Sequence, residues 1–172
     1  MYIKRALYIL LALTVCVMAS VSCSTKKNTA ASRFWQSFNT RYNVYYNGSQ
    51  AYIEGEKSKV QGHKDNYTEF LPVFLVGNEK SRTSGKSSFE TAITKCQKAI
   101  ALHSIKRRPV VSASKRKTPK MKAYLQRKEY NPFLKNAWLM MGRAQFEKGD
   151  FLEAAATFSY IARLYAMMLH LS

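Results

Sequence analysis

The side chains that could do chemistry in this 172-residue chain are few and far apart. The histidines, His63, His103 and His170, have no second His or Cys at metal-ligand spacing, so no metal is expected. No pair of carboxylates, Ser/His/Asp set or Cys/His set can be assembled from the sequence, and the chain does not read as an enzyme. Cys96 falls on an apolar helix face, where a thiol acts as a small hydrophobe. His103, at the end of that helix, reads as a helix-terminus cap. Cys23 is different. It follows Ser20-Val21-Ser22, and small residues there let a narrow peptidase site admit the cysteine and expose its thiol to alkylation by diacylglycerol. A covalent lipid on Cys23 is the only prosthetic chemistry expected, with no other cofactor.

What precedes Cys23 fits that reaction. Lys4 and Arg5 are followed by an uncharged, mostly apolar run over residues 6–21, suited to a signal-peptide core and short for a membrane span of roughly 20 apolar residues. The site resembles a bacterial lipobox, with Ser20 where an aliphatic residue is commonest. Residues 1–22 then read as a lipoprotein signal peptide and residues 23–32 as a small, polar, basic tether. Cys16 leaves with the leader and Cys23 carries lipid, so Cys96 has no disulfide partner. Stability must come from packing.

The charge is extreme, at +18 with a pI of about 10.0. Residues 105–128 hold ten basic side chains and no acidic one, including Lys106, Arg107, Arg108, Lys115, Arg116, Lys117, Lys120 and Lys122. Lys and Arg with few interleaved aromatics are poor for base stacking, and an exported chain does not meet nucleic acid. Residues 105–130 read as a basic linker, with an anionic envelope surface as a candidate partner.

The elements around these residues read as helices. Residues 33–104 form a divergent helical region with a loop. Phe34, Phe38, Tyr42 and Tyr45 make an aromatic face expected to pack inward, Asn47-Gly48 reads as a turn, and Ser49 as the cap of a second helix. Phe70-Leu71-Pro72-Val73-Phe74 is an apolar island expected to dock as extended chain, and residues 77–88 a mobile loop. Ser87 and Glu90 have capping-box spacing ahead of a helix with the face Phe89, Ala92, Ile93, Cys96, Ala99, Ile100 and His103.

Residues 131–168 carry the clearest pattern. Trp138, Met141, Gly142, Gln145, Gly149, Ala154 and Phe158 fall where a tetratricopeptide (TPR) hairpin requires them. Asn131 and Pro132 suit the start of the first helix, Gly149 the left-handed turn after it, and Asp150 with Glu153 a capping box on the second. Phe151, Ala154, Ala155, Phe158, Ile161 and Ala162 read as the inward stripe. In TPR arrays the first helix lines the groove, which makes Asn136, Leu139, Arg143 and Phe146 the candidate groove contacts. The fold class is all-α, with helical hairpins of TPR (α-solenoid) type. One hairpin cannot cover both its faces, and the apolar tail after Tyr165 reads as an array that continues in a longer protein.

Taken in order, these pieces resemble the TPR lipoproteins of the Bacteroidetes type IX secretion and gliding machinery (the PorW/SprE type). The matching residues are Cys23-Ser24-Thr25-Lys26-Lys27-Asn28, Thr40-Arg41-Tyr42-Asn43, Tyr46-Asn47-Gly48, Leu71-Pro72-Val73-Phe74, His103-Ser104-Ile105-Lys106, Glu129-Tyr130-Asn131-Pro132-Phe133 and Gln145-Phe146-Glu147-Lys148-Gly149-Asp150-Phe151. The resemblance implies a lipid-anchored outer-membrane protein on the periplasmic face, and the lack of an acidic run after Cys23 agrees with that side. It implies an adaptor that binds periplasmic secretion-machinery proteins and supports export and gliding motility. A scaffold of outer-membrane protein assembly, and a basic lipoprotein that binds envelope anions, are the other readings.

Overall fold

The computed structural model describes residues 27–169 apart from 69, 72 and 78. The expected signal peptide, Cys23, Pro72 and His170 lie outside the described residues. All regular structure among the described residues is helical: α1 (Ala30–Asn39), a π-helical stretch (Thr40–Tyr45), α2 (Tyr46–Gly62), α3 (Glu79–Thr83), α4 (Lys86–His103), a 3-10 turn (Lys115–Lys117), α5 (Pro119–Leu125), α6 (Leu134–Lys148) and α7 (Phe151–Leu169). No helix among these residues is long and apolar enough to cross a membrane.

The first departure from the sequence reading is at Asn47-Gly48. α1, the π stretch and α2 run on as one helix, with helical backbone at both junctions. Gly48 is buried in that helix, and a Cβ there would stand 3.4 Å from Lys95 Cβ and 3.5 Å from Met140 Sδ. Its lack of a side chain serves close helix approach, so tertiary contact overrides the local turn preference. Asn47 and Ser49 spend their side chains inside the helix, on the carbonyls of Asn43 and Tyr46. The inward row is Gln36, Thr40, Val44 and Gly48, spaced by four. Such a row drifts around a 3.6-residue helix; the wider π turn holds it in line. The aromatic face therefore points outward. Phe34, Phe38 and Tyr42 are exposed, and of the four only Tyr45 is half-buried, edge-on to Phe133.

α2, α4, α6 and α7 pack as successive antiparallel neighbours, with α4 held between α2 and α6. Phe89, Ala92, Ile93, Cys96 and Ala99 recur at helical spacing on α4; the first four form the centre of the core with Met140, Met141 and Ala144 of α6, and Ala99 packs with Val44, Leu134 and Ala137. Burying Phe89 alone contributes roughly 1.5–3 kcal/mol. The alanines Ala92, Ala99, Ala137 and Ala144 are fully buried and let the helix axes approach closely. α4 starts behind Gly85, whose φ is 71°, and no side chain caps it. The Ser87 box does not form: the helix begins at Lys86, which puts Ser87 inside its first turn, and Glu90 lies 3.5 Å from Lys148 of α6. The C-terminal ends of α2 and α6 are bolted by Lys59, 5 % exposed, whose Nζ donates to the Glu147 carboxylate (3.0 Å) and backbone carbonyl.

Two further segments differ from expectation. Phe70, Val73 and Phe74 are exposed rather than docked. Residues 77–88 contain α3, with Ser81 buried, instead of forming loop throughout. Within the 105–130 segment a short helix covers Pro119–Leu125, pre-organised by proline at its first position.

Candidate functional site

The α6–α7 hairpin is set by two close contacts. α6 ends in a left-handed Gly149 (φ 92°), with the Gly149 N–H on Phe146 O and the Asp150 N–H on Gln145 O, the paired bonds of a Schellman stop. The Phe158 ring lies over Gly142, so close that a Cβ would meet Cε1 at 2.8 Å. Ala154 is buried beside this contact, and Thr157 Oγ1 donates to Gln145 Oε1 (2.7 Å) across the helix pair. Trp138 tilts against Tyr160 at 4.7 Å and Met141 enters the core. All seven residues of the repeat pattern are thus brought to one helix pair, together with Thr157, which the sequence did not single out.

The details at its ends differ. Asn131 and Pro132 precede a turn rather than starting the helix: Asn131 Oδ1 accepts from the Phe133 N–H, and α6 begins at Leu134. The Asp150 carboxylate pairs with Lys148 (2.7 Å). On α7, Ala155 and Ala162 of the expected inward stripe face outward, because α6 covers only one side of that helix.

The candidate groove residues line one side of α6. Leu139, Arg143 and Phe146 are exposed and Asn136 is half-buried, with Phe146 edge-on to Phe151 at 5.4 Å. This ridge looks toward α2. Burial raises the pKa of the Tyr52 phenol, a hydrogen bond to Glu56 adds to the rise, and the Arg143 charge opposes it. Leu139 and Phe146 offer apolar contact area, and Arg143 a forked donor for carboxylate.

A second concavity, of about 1120 Å³, opens on the other side of Trp138. Trp138 and Tyr160 form its apolar wall, and Lys106, Arg107, Lys128 and Arg163 surround it. No ion pair engages these four cations among the described residues. The one acid in the cleft, Glu129, is 5 % exposed and fully occupied: it accepts from the N–H groups of Ile105, Tyr130 and Asn131 and from the Ser104 hydroxyl. Nearby, burial and then the Glu129 charge raise the pKa of the Tyr165 hydroxyl. The cleft can hold an anionic segment that also carries an apolar group.

Glu129 also determines what the basic segment is. With the Tyr130 N–H on Ile105 O (3.0 Å), it fastens both ends of residues 105–130 to one point, so the segment leaves the helical body and returns to where it started. Asn131, 2 % exposed, ties that point to α4 and the π stretch through His103 O and Thr40 Oγ1. Asn131 reads from the sequence as a helix start and Glu129 only as part of a resembling stretch, so no sequence pattern marks the clamp they form. Of the basic residues, Lys106 and Arg107 join the cleft. Arg108 and Lys115 stand with Lys27 and Arg33 beside the start of α1, and Arg116, Lys120 and Lys122 are exposed elsewhere.

His103 does not cap a helix end by contacting carbonyls: Nδ1 donates to Gln36 Oε1 (2.6 Å), and burial lowers its pKa. Cys96 is 1 % exposed and burial pushes its thiol up to about 12. Among the described residues no three His, Cys, Asp or Glu side chains gather as a metal site. No family model matches the chain, and no curated protein matches it.

Proposed function

We propose that this protein is a lipid-anchored, periplasm-facing adaptor that works by protein binding, with its α6–α7 hairpin acting as a TPR unit. The observation that carries the reading is the hairpin's construction: the Gly142–Phe158 contact, the Gly149 stop and the Trp138 wall leave the ridge Asn136, Leu139, Arg143, Phe146 uncovered along the first helix. A repeat scaffold supplies no reactive group, so its role depends on where it is tethered and what its ridge holds. The leader and Cys23 supply the tether, and the ordered resemblance to the type IX secretion lipoproteins supplies the partner class: periplasmic components of the secretion and gliding apparatus. Deleting the gene is expected to impair cargo export and colony spreading together; normal export and spreading in the deletion strain would reject the assignment.

A second reading rests on the four cations around Trp138 and Tyr160, a cleft suited to an envelope anion or an acidic segment. Neutralising Lys106, Arg107 and Lys128 would abolish glycan or membrane co-sedimentation under that reading, and would leave ridge-dependent partner binding intact.

A further inference from the structure

α1 and the π stretch that continues it are built inside out. The side facing the protein presents Gln36 and Thr40, 6 % and 0 % exposed, while Phe34, Trp35, Phe38 and Tyr42 are 70 %, 57 %, 46 % and 55 % exposed. The outward rings stack in a ladder: Phe34 on Phe38 at 6.2 Å, Trp35 on Phe38 at 6.3 Å, Phe38 on Tyr42 at 4.8 Å. Tyr46 is exposed one step further along, so the ladder extends over roughly 18 Å of helix. A contiguous apolar surface of this kind marks an interaction site.

Charge indicates the occupant. No acidic residue precedes Glu54 in the chain. At the start of α1 the fold gathers Lys27, Arg33, Arg107, Arg108 and Lys115 around one concavity, drawing in the root of the basic segment. Arg33 is held by Asn28 Oδ1 (2.6 Å), whose Nδ2 donates to Arg107 O (2.7 Å), so the gathering is built rather than incidental. Arg41 lies over the Tyr42 ring at 5.2 Å. An aromatic face flanked by cations is the composition of a helix lying in the interface of an anionic bilayer, rings among the upper acyl chains and cations at the phosphates. The tether agrees: Thr29 lies six positions after Cys23, roughly 20 Å at full extension.

We infer that the outward face of α1, with the adjoining basic cluster, docks flat on an anionic phospholipid surface and so fixes the orientation of the helical body relative to the membrane. The inference rests on the anchoring part of the proposed function. It gives the basic segment a role distinct from partner binding.

The test uses the full lipidated chain in vesicles of phosphatidylethanolamine and phosphatidylglycerol, with lipids brominated high on the acyl chain as quenchers. The chain has two tryptophans, Trp35 and Trp138, and the exposed Trp35→Phe variant separates them by difference. Flotation reads anchoring and quenching reads docking. Floating protein whose Trp35 emission is quenched several-fold more than that of Trp138 supports the inference. Quenching that falls when Arg107, Arg108 and Lys115 are changed to Gln supports the electrostatic part. Floating protein with Trp35 no more quenched than Trp138 overturns docking and leaves anchoring in place. Failure to float overturns both.

Discussion

Phe158 covers Gly142 at a distance that admits no additional carbon: a Cβ at residue 142 would stand 2.8 Å from Cε1 of the ring. The separation of α6 and α7 is thereby set by a hydrogen atom on one helix and a ring face on the other. Gly142→Ala is expected to destabilise the chain by about 1–3 kcal/mol in a denaturant melt. In the Gly142→Ala, Phe158→Ala pair the costs should sum to less than the two singles, because removing the ring makes room for the methyl. Additive costs would show that the contact does not set the spacing.

Glu129 holds the two ends of the basic segment to the body. Glu129→Gln keeps an oxygen for the three backbone N–H groups but removes the charge that strengthens those bonds and turns an N–H₂ toward the Ser104 hydroxyl, and is expected to cost about 1–2 kcal/mol. The more specific readout is limited trypsin digestion, where cleavage between residues 106 and 128 should rise in the variant before the helical body unfolds. Ser104→Ala, which removes one donor, should have a smaller effect in the same direction.

The α6–α7 hairpin was legible because its residues act locally. Trp138, Gly142, Gly149 and Phe158 follow from helix spacing, a left-handed stop and a close crossing, all encoded within 35 residues. The α4 face was legible for the same reason. The long N-terminal helix was not, since Gly48 is a turn signal to its neighbours and a contact point to Lys95 and Met140, which lie 47 and 92 residues away. The direction of the aromatic face depended on the π stretch, which shifts which side of the helix meets the body. Helical spacing places rings on one face and is silent on whether that face looks in or out. The clamp made by Glu129 and Asn131 was not legible because its partners, mostly backbone groups with the Ser104 and Thr40 hydroxyls, are brought together only by the fold.

His103 gives the fold an acid sensitivity. Burial lowers its pKa in the folded chain, so the unfolded chain binds the proton first as the pH falls. Stability from this residue is therefore complete above the unfolded value of about 6.5 and is lost as the pH drops from there toward the lower folded value. Melting temperature followed from pH 7.5 to 5 should decline, and His103→Gln should flatten that part of the decline. An unchanged slope in the variant would assign the sensitivity to other groups.

Cys96 is expected to be inert in the native chain. Its thiol is pushed up to about 12 by burial, so little thiolate forms at pH 8 and reagents have no path to it. Alkylation by iodoacetamide should proceed only at the rate of opening and become fast in denaturant. Rapid native labelling at Cys96 would mean that the α2–α4–α6 core opens readily.

The central claim is that the α6 ridge holds a partner, and the most direct measurement is site-specific photocrosslinking in intact cells. A photoreactive residue placed at Leu139 or Arg143, with one at exposed Leu102 on α4 as the comparison, reports which protein lies against each face. The account predicts adducts with a periplasmic component of the secretion and gliding machinery at Leu139 and Arg143, and none at Leu102. No adduct at either ridge position, or the same adducts at all three, would contradict it.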